Sequence, residues 1–364
     1  MKLSWTLTRY LAAQFAISVL IVLGVMLSLT LLLDIVELLR EFSGRADVPF
    51  PTVVGLAILK QPHMVEELLP FCFLFGGILA FTRMTRNQEL VVVRASGVSV
   101  WQFLYPGIAV AVLGGIFAIT VYDPIASTFY RQFENAQAAY VQSKSRLLQV
   151  SPEGLWLRQG NRESQSVIHA LGVKDRGRQL EDVIIFTFEG DDRWVGRIDA
   201  ESATLEDGFW SIQDARLTSP NEPTVNVDRY ELPTTLTYEQ IQDSFATPDT
   251  MSIWALPGFI ALAEAAGFSA LRHRLHWHSV VATPVLLCAM VLIAASFSLR
   301  LTRLGGISRL VIAGIISGFV LYFASDLATE LGLAGNIPVV LAAWAPASVA
   351  LLLGLTTLFY LEDG

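Results

Sequence analysis

Six stretches of this chain are apolar for roughly twenty residues each, at about 10–33, 65–81, 103–121, 280–297, 310–327 and 339–361. A helix needs about 20 apolar residues to cross a hydrocarbon core of roughly 30 Å, so each run predicts a membrane-spanning helix. Between the third and fourth runs the period changes. From about 140 to 245, segments such as EDVIIFTFEG, DRWVGRIDA, SATLEDGFWSIQDARLTSP and TVNVDRYELPTTL are short, rich in Val, Ile, Phe and Trp, and separated by Gly, Asp, Asn or Pro. That is a strand pattern. No helical crossover separates the segments, so an antiparallel sandwich or jellyroll fits better than a parallel fold. Alternation is imperfect in GFWSIQDARL, where Trp210 and Ile212 are followed by Ala215 and Leu217. The fold class is an α-helical integral membrane protein with six transmembrane helices and an inserted β-jellyroll domain. The divisions fall at about 1–135, 136–250 and 251–364.

The third division opens on MSIWALPGFIALAEAAGFSALRHRLHWHS, where Trp254, Leu256, Phe259, Ile260 and Leu262 make one apolar face and Gly267 is a stop signal. This predicts a short interfacial helix, with Trp277 near the head groups.

Basic residues of the short loops orient the spans. Lys2, Arg9, Arg83, Arg86, Arg94, Arg300, Arg303 and Arg309 fall on one side; on the other, Arg40 and Arg45 are diluted by Glu37, Glu41 and Asp47. Both termini are expected in the cytoplasm and the large β domain outside. The first run is too long for a signal h-region and no A-x-A site closes it, so it reads as a retained helix.

Composition agrees with a membrane protein: 53% of residues are hydrophobic and 16% charged, against about a quarter charged in soluble domains. The net charge of −8 gathers in the strand-rich segment, and no polybasic tract suggests nucleic acid. Cys72 and Cys288 sit in apolar runs without a CxxC spacing. The four lysines lie outside any G-x-x-x-x-G-K-[ST] loop, so nucleotide hydrolysis would come from another subunit. The centres of the runs hold almost no ionisable residue, and Asp326 lies near a run's end, which disfavours an ion-coupled carrier. His273, His276 and His278 could share a zinc ion, but snorkelling in a basic interfacial patch is the simpler reading. No catalytic set converges, so neither enzyme activity nor a bound cofactor is expected.

Three clusters stand out. In TRNQELVVVRASGVS, Arg83 to Gly97 can form about four helical turns ending at Gly97. Leu90, Val91 and Val92 would seat it in a groove, and Glu89 would reach a basic partner. In LKQPHMVEELLPF, Pro62 should break or kink the helix; Lys60 and His63 could meet an anionic ligand, opposed by Glu66 and Glu67. Arg131, beyond the third run, suits a phosphate or carboxylate, or pairs with Glu134 one turn away.

The stretch RNQELVVVRASGVSVWQF resembles the signature of the lipopolysaccharide export permeases, the LptF/LptG family. RYLAAQF, EGLWLRQ and LHWHSVVATPVLL extend the resemblance over nearly the whole chain. ELVVVRASG and GLWLRQ are closer to the LptG branch than to the LptF branch. The resemblance implies six spans in the bacterial inner membrane around a periplasmic β-jellyroll. It implies an LptF-type permease as sibling, an LptB-type ATPase dimer using ATP and Mg, then LptC and a periplasmic bridge protein, with lipopolysaccharide as substrate. Carried over by position, Glu89 is the coupling acid that engages the ATPase, with Arg86, Arg94, Ser96 and Gly97 around it. Arg40, His63 and Arg131 would face the substrate head group. Asp34 and Glu134 stand where basic residues are expected, which suggests a less anionic head group. The paralogous LptF role, a non-transporting membrane-anchored adapter and an ion-coupled carrier remain alternatives at this level.

Overall fold

The computed structural model describes residues 5–43, 48–95, 97–141, 148–151, 154–160, 164–174, 178–189, 193–220, 222–234, 247–265, 269–301 and 307–362. The chain forms two compact units, residues 1–137 with 274–364, and residues 138–273. The short helix of the third division clusters with the strands.

The first unit is helical. Helices α1 (Trp5–Glu41) and α2 (Phe50–Arg86) are followed by the short α3 (Glu89–Ala95) and by α4 (Val100–Phe117). A π turn at Ala118–Tyr122 leads into α5 (Asp123–Val141). After the strands and a short helix α6 (Leu256–Ala265) come α7 (Leu271–Leu301), α8 (Ile307–Leu333) and α9 (Val339–Glu362). Among the described residues, six helical stretches are long and apolar enough to cross a membrane, the third of them being Val100–Gln137 through the π turn. At 37 residues each, α1 and α2 are roughly 55 Å long and overshoot a hydrocarbon core on their own.

α2 continues through both Pro62 and Pro70, so of the break or kink expected at Pro62 the break does not occur. The ring costs one backbone hydrogen bond, and the turns on either side keep their own pairing. Small residues let the helices approach. A Cβ on Gly76 would come within 2.7 Å of Val19 Cα on α1, and one on Gly77 within 2.8 Å of Ala294 Cβ on α7. Gly115 of α4 likewise meets Pro284 of α7, at 2.6 Å. Phe15, Leu74, Leu104, Leu287 and Val291 join the core around these crossings. Long apolar faces stay uncovered, carrying Leu20, Val25 and Leu32 on α1 and Ile316, Phe319 and Phe323 on α8. Surfaces of that extent belong against lipid or another protein.

The second unit holds β1 (Leu148–Ser151), β2 (Gly154–Gly160), β3 (Ser164–Lys174), β4 (Gln179–Glu189), β5 (Arg193–Glu206), β6 (Phe209–Ser219) and β7 (Glu222–Pro233). The inserted β domain and its antiparallel pairing agree with the sequence pattern. The described strands form one sheet in chain order, β1 to β7, each antiparallel to the next. Short Gly- and Asp-bearing turns favour such neighbour pairing.

A crease crosses this sheet. Along β3 the inward residues are Ile168 and Ala170, then Val173; along β4, Leu180, then Val183 and Ile185. Along β6, Ile212 is followed by Ala215. Each of β3 to β7 turns two successive residues outward at the same row, because Val173, Leu180, Ala203, Ile212 and Tyr230 pair in register. Asp182 and Asp214 take φ of 49° and 52° there, a left-handed conformation that Asp tolerates better than most residues. This is the physical cause of the imperfect alternation in GFWSIQDARL. Inside, Trp210, Leu157, Ile168, Leu180 and Ile185 form a closed core. A buried polar group joins its strands: Gln159 Oε1 on β2 accepts from Trp210 Nε1 at 3.0 Å and from Thr234 Oγ1 at 2.6 Å.

Candidate functional site

The charged stretch after the second span folds in two pieces. Asn87 N donates to Arg83 O at 3.0 Å and closes α2. Gln88 then takes a φ of 60°, which no α-helix accommodates. The four continuous turns expected from Arg83 to Gly97 are therefore replaced by the end of α2, a two-residue turn and the seven-residue α3. Gly97 follows with φ of +79°, the left-handed geometry a glycine stop supplies.

Glu89 opens α3, where a carboxylate complements the helix dipole. Its two carboxylate oxygens accept from Tyr10 OH on α1, both at 3.3 Å, and Oε1 also accepts from Asn87 Nδ2 at 3.2 Å. One turn along α1, the Gln14 amide oxygen, turned toward its donors, accepts from Arg83 Nη1 at 3.0 Å and Nε at 3.2 Å. Val93 is 9% exposed and belongs to the bundle core, while Val92 is 68% exposed. Val93, not Val92, seats α3. Its signal was present, since it lies one helical turn from Glu89, but its neighbours in the apolar run hid its phase. Arg86 is exposed. The side chains of Leu90, Val91 and Arg94, and the whole of Ser96, lie outside the described residues.

A second polar cluster gathers at the opposite ends of α1 and α2. Asp34 of α1, 5% exposed, accepts from Lys60 Nζ at 2.7 Å and from Gln61 Nε2 at 3.1 Å, both on α2. Lys60 also lies 3.7 Å from Glu37. The His63 ring packs 4.3 Å from that of Tyr130. Its Nδ1 is 3.9 Å from Glu66 and its Nε2 3.5 Å from Glu67. Glu66 Oε1 is buried and accepts no hydrogen bond among the described residues. Gln137 on α5 donates to both carboxylate oxygens of Glu41, at 3.0 and 2.8 Å. Arg40 and Arg131 are exposed.

The arrangement revises the reading of this cluster. Lys60 is engaged by Asp34, so the pair fastens α1 to α2. His63 sits between two glutamates. Among the described residues, Arg40 and Arg131 are the arginines of this region that are open to solvent. No three His, Cys, Asp or Glu side chains group as metal ligands among the described residues, and His273 is buried with its ring 4.6 Å from that of Phe259.

Among the described residues, six membrane-capable helices interrupted by an antiparallel β domain make the plan of a multi-pass membrane protein. The sequence profile of the lipopolysaccharide export system permeases LptF/LptG matches residues 9–360, and the chain belongs to that family. It is 24% identical over 357 residues to the lipopolysaccharide export system permease protein LptG of Escherichia coli strain K12, covering 96% of both chains. It is 22% identical over 358 residues to LptG of Haemophilus influenzae, covering 94% of this chain and 95% of that one.

Proposed function

We propose that this chain is the LptG-type subunit of a lipopolysaccharide exporter, working beside an LptF-type permease on an LptB-type ATPase dimer. The observation that carries the reading is the family match from residue 9 to 360, which runs through every span and the β domain. Relatives named LptG match over the same length. Basic loop residues support cytoplasmic termini and a periplasmic β domain.

In this reading the chain hydrolyses nothing. ATP and Mg act in the partner ATPase, whose closure displaces α3. Glu89, Arg86, Arg94, Ser96 and Gly97 make up the coupling segment. The exposed apolar faces of α1 and α8 meet the sibling permease and the acyl chains, since lipid tails need only apolar walls. Arg40 and Arg131, together with His63, serve the sugar and phosphate groups of the head group, as bidentate guanidinium donors suit phosphate. Lipid leaving the outer leaflet of the inner membrane passes by the β domain to LptC and the periplasmic bridge protein.

The test is purification of the tagged chain in mild detergent, then reconstitution with lipopolysaccharide in vesicles. Co-purification of an ABC-type ATPase and a second six-span permease, with ATP-dependent release of lipid, is the expected result. A chain that comes out alone and releases nothing overturns the reading.

A further inference from the structure

We infer that Tyr10 and Gln14 are positioning residues that tie the base of α1 to the α2–α3 junction, so that displacing α3 moves the first span directly. The inference rests on the coupling role proposed for α3 and names the route by which its movement leaves it.

Tyr10 and Gln14 are four residues apart and so share one helix face. Tyr10 donates to both oxygens of Glu89, at 3.3 Å each. Gln14 accepts from the Arg83 guanidinium at 3.0 and 3.2 Å. The two ties straddle the Asn87–Gln88 turn, one on the last turn of α2 and one on the first residue of α3. On the neighbouring face, Leu11 and Phe15 belong to the same core as Phe81, Met84 and Val93. The first three turns of α1 are therefore joined to the junction by polar and apolar contacts together. Beyond them α1 turns Leu20, Val25, Leu29 and Leu32 outward. A helix clamped at its base and open along its length transmits a push as tilt.

In this arrangement the Glu89 carboxylate is already held by Tyr10 and Asn87 of its own chain, so its effect on export runs through α1. Tyr10 is half-exposed and its bonds are long for a hydroxyl donor. Removing the hydroxyl therefore costs little stability, and a test on it reports coupling.

The experiment measures lipid delivered per ATP hydrolysed by the full reconstituted complex in lipopolysaccharide-containing vesicles. Tyr10→Phe should lower that ratio by about two- to threefold, the low end for losing one hydrogen bond, with basal ATP turnover unchanged. In a Glu89→Gln background the same change should lower the ratio by less than half as much, because the partner is already weakened. Wild-type delivery per ATP in Tyr10→Phe, or equal effects in both backgrounds, would overturn the tie while leaving the exporter reading in place. Absence of ATP-driven delivery by the wild-type complex would overturn both.

Discussion

A carboxylate buried inside a membrane bundle is costly unless a cation meets it. Asp34 meets Lys60 at 2.7 Å across two helices, with Gln61 taking its second oxygen. Removing one partner leaves the other charged and dry. Asp34→Asn or Lys60→Met should therefore lower stability by about 2–3 kcal/mol, the low end for a buried pair because Lys60 keeps some solvent contact. The double change Asp34→Leu with Lys60→Met should recover more than half of that. Unfolding of the purified protein in detergent checks this, and neutral single variants would refute it. The sequence displayed both residues but not the pair, since 26 positions separate them and no period links them. Tyr10 and Glu89 were hidden in the same way, 79 positions apart. A charge is visible in a sequence; its partner is a property of the packing.

Helices were the most legible elements, because a span must be apolar for its whole length. Their ends were less so. Sequence alone allowed a break or a kink at Pro62, where the helix runs on, and a continuous helix across Gln88, where the backbone turns. Close crossings were equally silent until the neighbours were known. Gly24 and Gly76 look alike in the sequence, yet a Cβ at Gly24 meets nothing within 4 Å, and one at Gly76 meets the α1 backbone at 2.7 Å. Gly76→Ala should destabilise the bundle by about 1–3 kcal/mol through overpacking. Gly24→Ala should be neutral or slightly stabilising, as alanine is the better helix former. Thermal melts of the two variants separate them, and equal melts would contradict the crossing.

At the scale of the molecule, the uncovered faces of α1 and α8 make the sharpest statement. Val25→Cys and Phe319→Cys should form oxidative cross-links to cysteines on the sibling permease, while Cys72, buried in α2, should not. Cross-linking in native membranes, read by a doubled mass on a gel, decides it; adducts only to lipid-soluble reagents would mean that these faces meet lipid alone. The two-part plan of spans and strands was legible because the hydrophobic period changes from continuous to alternating. The crease was visible only as a fault in that alternation. It behaves as a compensated frameshift in a two-letter code of inside and outside. Each strand from β3 to β7 slips its phase by one, and the sheet stays readable because its neighbours slip at the same row. A single strand put back into perfect frame would then be the error. Deleting Asp214 would restore strict alternation to β6 alone and set Ala215 and Leu217 out of phase with β5 and β7, so the tidier sequence should give the less stable domain.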